Sequence, residues 1–210
     1  MIELVHGVWQ FTARHPEWTE DEAGEDGWEP EVAWWALESD DGVVLIDPLV
    51  DGWAVLDALV QRRGEAVIVR TCHWHQRSIP EAAARYGALV WAGAGADGTT
   101  LAPCDRVAGD GERLPGEAVA LRMERNDEIA LWLERPSALV FGDAMLRDAA
   151  GRLMICPESW TQPPGGREEL LIRLHGLERF RPRHVLVSHG PLVTGDGAQA
   201  LTQALDAPSS

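Results

Sequence analysis

Four short apolar segments of the sequence each lead into residues that can bind a metal ion or transfer a proton. In chain order, these residues are Asp47 after segment 43–46, His73 and His75 after segment 66–71, Asp143 after segment 139–142, and His189 after segment 185–188. Apolar runs of this length are typical of buried strands. Ligands of open α/β sheets bind beyond the carboxyl ends of the strands, so we expect these side chains to share one site.

The spacing of His73 and His75 adds a more specific indication. Residues two apart on an extended segment point to the same side, so both imidazoles would face one ligand. With a carboxylate and a further imidazole, they are ligand types that zinc or iron uses. Cys72 would face the opposite side, as a buried and inert thiol.

The elements around these residues alternate between strands and helices. The predicted strands are 2–11, 32–38, 43–46, 66–69, 88–91, 118–123, 128–133, 138–141 and 184–188, and the predicted helices are 53–64, 78–86, 167–177 and 197–205. A hairpin is expected at residues 40–42, where Asp-Asp-Gly separates two apolar runs. This order predicts a layered α/β (α+β) fold without an internal linker. Residues 1–210 would form one domain, with 196–210 as its terminal helix and tail.

In this order and these strand contexts, the chain resembles the metallo-beta-lactamase fold superfamily. The matching features are Asp47 after a strand, an HxHxxx segment after the next strand, the Gly142-Asp143 pair and the His189-Gly190 pair. The resemblance covers about residues 2–194. It implies a four-layer αββα sandwich and a hydrolase that uses metal-activated water on an ester, thioester or amide-type bond.

The second motif departs from the family pattern. The family reads HxHxDH, whereas residues 73–78 here read His-Trp-His-Gln-Arg-Ser, which puts Arg77 in place of the aspartate and Ser78 in place of the last histidine. A guanidinium cannot be deprotonated and repels a nearby dication. We therefore expect the second metal of the family to be absent, and Arg77 to pair bidentately with Asp143 or to bind a substrate anion.

The histidine that the family carries before the strand of Asp143 is also missing. An alignment with the family puts Glu124 nearest to that position, with Asn126 and Asp127 as rivals. The metal ligands that the resemblance implies are His73, His75, Asp143, His189 and, most weakly, Glu124. Asp143 would orient the water or act as a bridging metal ligand, and His189 would assist as a metal ligand or as an acid.

Two hypotheses follow from these residues. The first is a hydrolase with one zinc or iron ion, in which Asp143, His189 and Arg77 are catalytic. The second is a metal-free descendant of the fold that acts as a ligand-binding or interaction protein, with a hydrogen-bonded network around Arg77 and Asp143. Glu124 discriminates between them, because a metal site needs its side chain to reach the two histidines of the HxH motif.

Composition narrows the classes of partner. The 210 residues are 45% hydrophobic and 25% charged, with apolar runs too short to span a membrane. Lys and Arg total 18 against 34 Asp and Glu, a net charge of −16 that disfavours nucleic acids and anionic membranes. We expect a small-molecule substrate or ligand. Three unpaired cysteines and an N-terminus without a signal pattern predict a cytoplasmic protein.

Overall fold

The computed structural model describes residues 1–24, 26–95, 97–148, 150–161 and 166–207, and its largest element is a sheet of seven strands. These strands are β1 (Ile2–Val5), β2 (Val8–Arg14), β3 (Glu31–Ser39), β4 (Gly42–Ile46), β5 (Ala66–Arg70), β6 (Val90–Ala92) and β7 (Arg106–Val107). They lie in sequence order across the sheet. Neighbours from β1 to β4 are antiparallel, and neighbours from β4 to β7 are parallel.

A second sheet has five strands in the order β14-β13-β10-β9-β8, and a two-stranded hairpin stands beside it. The sheet strands are β8 (Val119–Arg122), β9 (Ile129–Leu133), β10 (Ala138–Phe141), β13 (His184–Val187) and β14 (Val193–Thr194), and the hairpin strands are β11 (Met145–Arg147) and β12 (Leu153–Ile155). Strands β10 and β13 are parallel, so their carboxyl ends meet at one edge.

Four α-helices cover the outer faces of the two sheets. They are α1 (Ala54–Arg63), α2 (Ile79–Tyr86), α3 (Gly166–Leu177) and α4 (Gly197–Asp206), and short 3-10 turns occupy Glu20–Glu22, Pro115–Glu117, Glu158–Trp160 and Glu178–Phe180. Among the described residues, none of the helices combines the length and the hydropathy that a transmembrane span requires.

Side-chain alternation within the strands builds three apolar layers. On β3, Trp34 packs with the core under α1 and α2, whereas Trp35 packs between the two sheets. The same alternation on β4 sends Leu45 outward and Ile46 inward, which is why this strand is apolar at every position and fully buried. A third cluster, which includes Phe141, lies between the second sheet, α3 and α4. The fold is the expected αββα sandwich.

The strand predicted over residues 2–11 is wrong in one respect, because the chain forms two strands there. Gly7 adopts φ +79° at the turn between β1 and β2. The predicted hairpin at residues 40–42 is confirmed, with Ser39 opposite Gly42. Strands β7, β11, β12 and β14 are too short to carry a periodic pattern and were not predicted.

Gly142, at the end of β10, lets the two sheets approach each other closely. A Cβ added there would overlap the hydroxyl of Thr71, which follows β5, and would press on the Glu128 carboxylate. The carboxyl ends of β4 and β5 in one sheet therefore meet those of β10 and β13 in the other. This junction is where the residues singled out by the sequence converge.

Candidate functional site

Asp47 is the first residue after β4 and anchors the segment that follows β5. Its backbone lies in the left-handed region (φ 51°), which turns the chain at the end of the strand. Its Oδ1 accepts a hydrogen bond from the Thr71 backbone N–H at 2.7 Å, and its Oδ2 accepts one from the Thr71 hydroxyl. Because the carboxylate is buried, it depends on such donors to remain charged.

His75 lies between two buried carboxylates. Its Nδ1 is 2.8 Å from Asp47 Oδ2, and its Nε2 is 3.0 Å from Asp143 Oδ1. Ionised carboxylates only accept hydrogen bonds, so both ring nitrogens donate and His75 is an imidazolium. Burial and the Arg77 guanidinium lower the pKa of His75, but the negative charges around it outweigh them and raise that pKa well above its ordinary value.

Asp143 interacts with a second histidine as well. His189 Nε2 lies 3.2 Å from the same Oδ1 that faces His75. Burial opposes the charge of Asp143, but the charge of His75 and the His189 hydrogen bond hold the pKa of Asp143 well below its ordinary value. Burial lowers the pKa of His189, so this imidazole is neutral and its proton lies on Nε2, toward Asp143.

Glu128 and Arg125 support Asp143 from the opposite side. Glu128 Oε1 accepts hydrogen bonds from the backbone N–H groups of Asp143 and Ala144, at 2.8 and 2.7 Å. Arg125 Nη1 donates to Glu128 Oε2 at 2.5 Å and lies 3.9 Å from Asp143 Oδ2. The position of Asp143 is thus fixed by both its backbone and its side chain.

Arg77 occupies the space beside His75. Its Nη1 donates to the backbone carbonyls of Ala33 and Asp47, at 3.2 and 3.1 Å, and its Nη2 lies 3.2 Å from His75 Nε2. Arg77 makes no hydrogen bond to Asp143 in the part of the chain that the structure describes. The expected bidentate pair is therefore wrong, because His75 takes the position next to Asp143 that the guanidinium would need.

A cavity of about 360 Å³ lies above this network, a volume typical of small-molecule pockets. Its floor is lined by His15, His75, Arg77, Arg125, Asp143 and His189. Its mouth is lined by Glu17, Glu22, Asp26, Trp28, Trp74, Ser159 and Trp160. These two sets of residues are called the floor and the mouth.

Hydrogen bonds join two of the loops that form the mouth. Trp28 Nε1 donates to Glu22 Oε2 at 3.1 Å within the first loop. From the second loop, Trp160 Nε1 donates to the Asp26 carbonyl at 2.9 Å, and Ser159 Oγ donates to Asp26 Oδ2 at 2.7 Å. The acidic residues therefore orient the tryptophan rings of the mouth.

The sequence over residues 30–207 matches the family model of the metallo-beta-lactamase superfamily. The chain belongs to this superfamily. Its fold is thus that of a hydrolase-type family whose members generally bind zinc. No curated protein matches the chain.

Solved structures agree with this assignment at the level of the fold. The metallo-beta-lactamase from Pontibacter korlensis has a TM-score of 0.66 at 16% identity, and the match covers 99% of this chain and 98% of that one. A metallo-beta-lactamase family protein from Thermus thermophilus gives 0.63 at 15% identity, over 96% and 79% of the two chains. The metallo-beta-lactamase FIM-1 from Pseudomonas aeruginosa, in its mono-zinc form, gives 0.62 at 14% identity, over 97% and 93%.

The donor atoms that a superfamily zinc ion would need form a partial group. Cys72, His75 and Asp143 each offer one donor atom, and these atoms lie within 4.8 Å of one another. Both nitrogens of His75 are engaged as donors, so the ring has no lone pair for a metal. Arg77 adds a positive charge 3.2 Å from that ring. In this arrangement, the residues do not fit a zinc ion.

Two other predicted ligands of the superfamily site have partners elsewhere. His73 Nδ1 lies 2.8 Å from Asp127 Oδ1, and its backbone N–H donates to the same oxygen at 3.0 Å. Glu124 Oε1 accepts hydrogen bonds from Arg122 and Arg173, with shortest distances of 2.6 and 2.7 Å. Neither residue belongs to the partial donor group at Asp143 and His75.

Cys72 is buried, as predicted, but the prediction that it faces away from His75 is wrong. Residues 71–78 form bends and turns, so the alternation of an extended strand does not apply to them. Cys72 Sγ lies 3.6 Å from Asp143 Oδ2, and burial raises the pKa of the thiol to about 12. The same turns explain why His73 and His75 bind different carboxylates.

Several residues of the site were not identified from the sequence. Arg125 lies within the loop before β9, and Glu128 is the last residue of that loop. No apolar pattern in this segment indicates that either residue belongs to the site. His15 also lines the floor, and as an isolated histidine it carries no motif that indicates a site. Trp28 lies in an acidic loop of the mouth. Its aromatic character within that loop was the one available signal.

Proposed function

We propose that this chain is a metal-free member of the metallo-beta-lactamase superfamily that binds a small molecule in the cavity, with residues 1–210 as one domain. The observation that carries the proposal is His75, whose two nitrogens both face carboxylates, Asp47 at 2.8 Å and Asp143 at 3.0 Å. A protonated imidazole in this position supplies the positive charge that a metal ion supplies in other members.

The balance of buried charge supports this proposal. The cations His75, Arg77 and Arg125 are equal in number to the carboxylates Asp47, Asp143 and Glu128. His75 and Arg125 pair directly with these carboxylates, and Arg77 donates to the backbone carbonyl of Asp47. Buried charges persist when they are paired and hydrogen-bonded, and this set is balanced in charge without an added ion. A dication added to these groups with their present protons would raise the local charge by two without a carboxylate to match it.

One observation favours a second candidate, a hydrolase with a single metal ion. Cys72, His75 and Asp143 bring three donor atoms within 4.8 Å, and thiolate, imidazole and carboxylate are all zinc ligands. When bound, such an ion would act as a Lewis acid and lower the pKa of water. This candidate requires that Arg77 move away and that both His75 and the Cys72 thiol lose a proton.

The two candidates separate in a thermal-shift screen of untagged protein. The screen uses a panel of small amines, carboxylates, esters and thioesters, and each compound is measured once in EDTA and once in a separate sample with added zinc. A ligand at 100 times its Kd stabilises the folded state by about 2.7 kcal/mol, which raises the Tm of a protein of this size by about 5–11 °C. We expect such a shift to be equal in EDTA and in zinc.

Arg77→Asp, which restores the carboxylate of the family motif, provides the contrast. We expect this variant to gain a thermal response to zinc that the natural chain lacks, whereas Arg106→Asp, at an exposed position on β7, should not. Stabilisation of the natural chain by zinc alone, or zinc-dependent turnover of an ester or thioester, would overturn the metal-free proposal in favour of the hydrolase.

A further inference from the structure

Among the described residues, the buried cations in and beneath the floor of the cavity equal the buried carboxylates in number, so the floor has no excess positive charge to attract an anion. Arg125 donates a hydrogen bond to Glu128 at 2.5 Å, and Nη1 of Arg77 donates to two backbone carbonyls. His75 is neutralised by the carboxylates on either side of it. This balance is a consequence of the metal-free proposal, on which the following inference rests.

The mouth, in contrast, is acidic. Glu17, Glu22 and Asp26 are exposed, and the cationic residues that line the cavity among the described positions, His75, Arg77 and Arg125, belong to the floor. The whole chain carries a net charge of −16. The field at the entrance therefore favours cations over anions.

Three tryptophans share the mouth with these carboxylates. Trp28 and Trp160 pack edge-on against the His189 ring, with centroids at 5.3 and 5.8 Å, and their indole N–H groups are engaged by the acidic loop. Trp74 is 58% exposed, which is unusual for so large an apolar ring. Indole is the aromatic ring that attracts cations most strongly.

His189 supplies an independent indication of a ligand. The residue is 7% exposed and lines the cavity, yet its Nδ1 is buried without a hydrogen-bond partner among the residues that the structure describes. Since Nε2 donates to Asp143 at 3.2 Å, Nδ1 holds a lone pair and can only accept. A buried acceptor without a partner costs free energy, which an N–H donor on a ligand would recover.

From these observations, we infer that the cavity binds a small organic cation that carries N–H donors, such as a primary ammonium attached to an apolar group. The carboxylates and tryptophans of the mouth hold the positive charge and the apolar group, and His189 Nδ1 accepts a hydrogen bond from an N–H group. A free amine and the lysine side chain of a short peptide share this chemistry.

Isothermal titration calorimetry with matched probes tests the inference on the full chain in EDTA. Benzylamine carries the charge and the N–H donors, benzyltrimethylammonium carries the charge alone, benzyl alcohol is neutral and benzoate is anionic. We expect benzylamine to bind about tenfold more tightly than benzyl alcohol and benzoate, with benzyltrimethylammonium between them. A blocked peptide with one lysine forms a further arm, and its binding relative to benzylamine identifies the source of the cation.

Two substitutions in the mouth assign the binding to this cavity. Glu22→Gln should weaken benzylamine binding about threefold, and Trp74→Leu by a similar factor. Glu20→Gln, an exposed acid of the same loop that does not line the cavity, is the matched control and should leave the affinity unchanged.

The outcomes separate the inference from the proposed function. Equal or tighter binding of benzoate or benzyl alcohol would overturn the inference and leave a metal-free binding protein in place. Binding of benzylamine that neither Glu22→Gln nor Trp74→Leu weakens would also overturn it. If none of the probes binds in EDTA but one binds after zinc is added, the proposed function fails together with the inference.

Discussion

Asp143→Asn tests directly whether a charge network holds the site together. Asp143 Oδ1 faces His75 Nε2 at 3.0 Å and His189 Nε2 at 3.2 Å, and the carboxylate is buried. Asparagine preserves the size and one acceptor oxygen but removes the negative charge. The imidazolium of His75 then keeps Asp47 as its remaining carboxylate partner, while Arg77 still lies 3.2 Å away.

The size of the effect follows from the burial of the pair. Removal of one partner of a buried ion pair typically costs about 3–5 kcal/mol, because the other charge is left uncompensated. For a protein of 150–250 residues, each kcal/mol corresponds to about 2–4 °C in Tm, so the expected loss is about 6–20 °C. Asp57→Asn is the matched control. Asp57 pairs with Arg85 on the surface, and its substitution should leave the Tm nearly unchanged.

Differential scanning calorimetry in EDTA and in zinc provides the measurement. If Asp143 were a metal ligand, its charge would be a liability in the metal-free protein, and asparagine would leave the Tm in EDTA unchanged or higher. A loss of stability that appears only in zinc would therefore refute the network. A loss of similar size in both buffers is the expected result.

Three further substitutions test other parts of the account. His75→Gln should destabilise the protein most below pH 6.5, and the difference in Tm from the natural chain should narrow as the pH rises above neutrality. The raised pKa of His75 gives this sign. The stabilisation by the charged ring is fully present below the pKa of the unfolded state, and it is lost as the pH rises through the pKa of the folded state. A gap in Tm that stays constant from pH 6 to pH 10 would contradict it. Gly142→Ala should lower stability by about 1–3 kcal/mol in chemical denaturation, because the added Cβ overlaps Thr71, whereas Gly24→Ala, where a Cβ meets open space, should leave stability nearly unchanged. Glu124→Gln should leave the response to zinc in titration calorimetry unchanged and should lower the free energy of unfolding by less than about 1 kcal/mol, because the partners of Glu124 are Arg122 and Arg173. A changed response to zinc would instead place Glu124 in the metal site.

The sequence was sufficient to predict the residues at the ends of the long buried strands. Asp47, Asp143 and His189 each lie within two residues of the end of a run of three or four apolar residues, and such runs report burial on both faces of a sheet. Because the carboxyl ends of parallel strands meet at one edge, the convergence of these side chains could be expected without coordinates. The sandwich follows from the same pattern of strands and helices.

The partners of each side chain could not be predicted, because they depend on loops. Residues 71–78 turn where an extended segment was assumed, and Arg77 itself takes φ 39°. Asp127 and Glu128, which bind His73 and the backbone of Asp143, come from a loop with no periodic pattern. Two of the loops that form the mouth are more than a hundred residues apart in the chain, so nothing local in the sequence indicates it.

The metal content of the purified protein decides between a metal-free site and a site that holds zinc or iron. Untagged protein would be purified without chelator, incubated with zinc or iron, passed through a desalting column and analysed for metals, alongside His75→Ala. We expect far less than one metal ion per chain in both, because His75 is already held by Asp47 and Asp143. One zinc or iron ion per chain that is lost in His75→Ala would contradict this expectation.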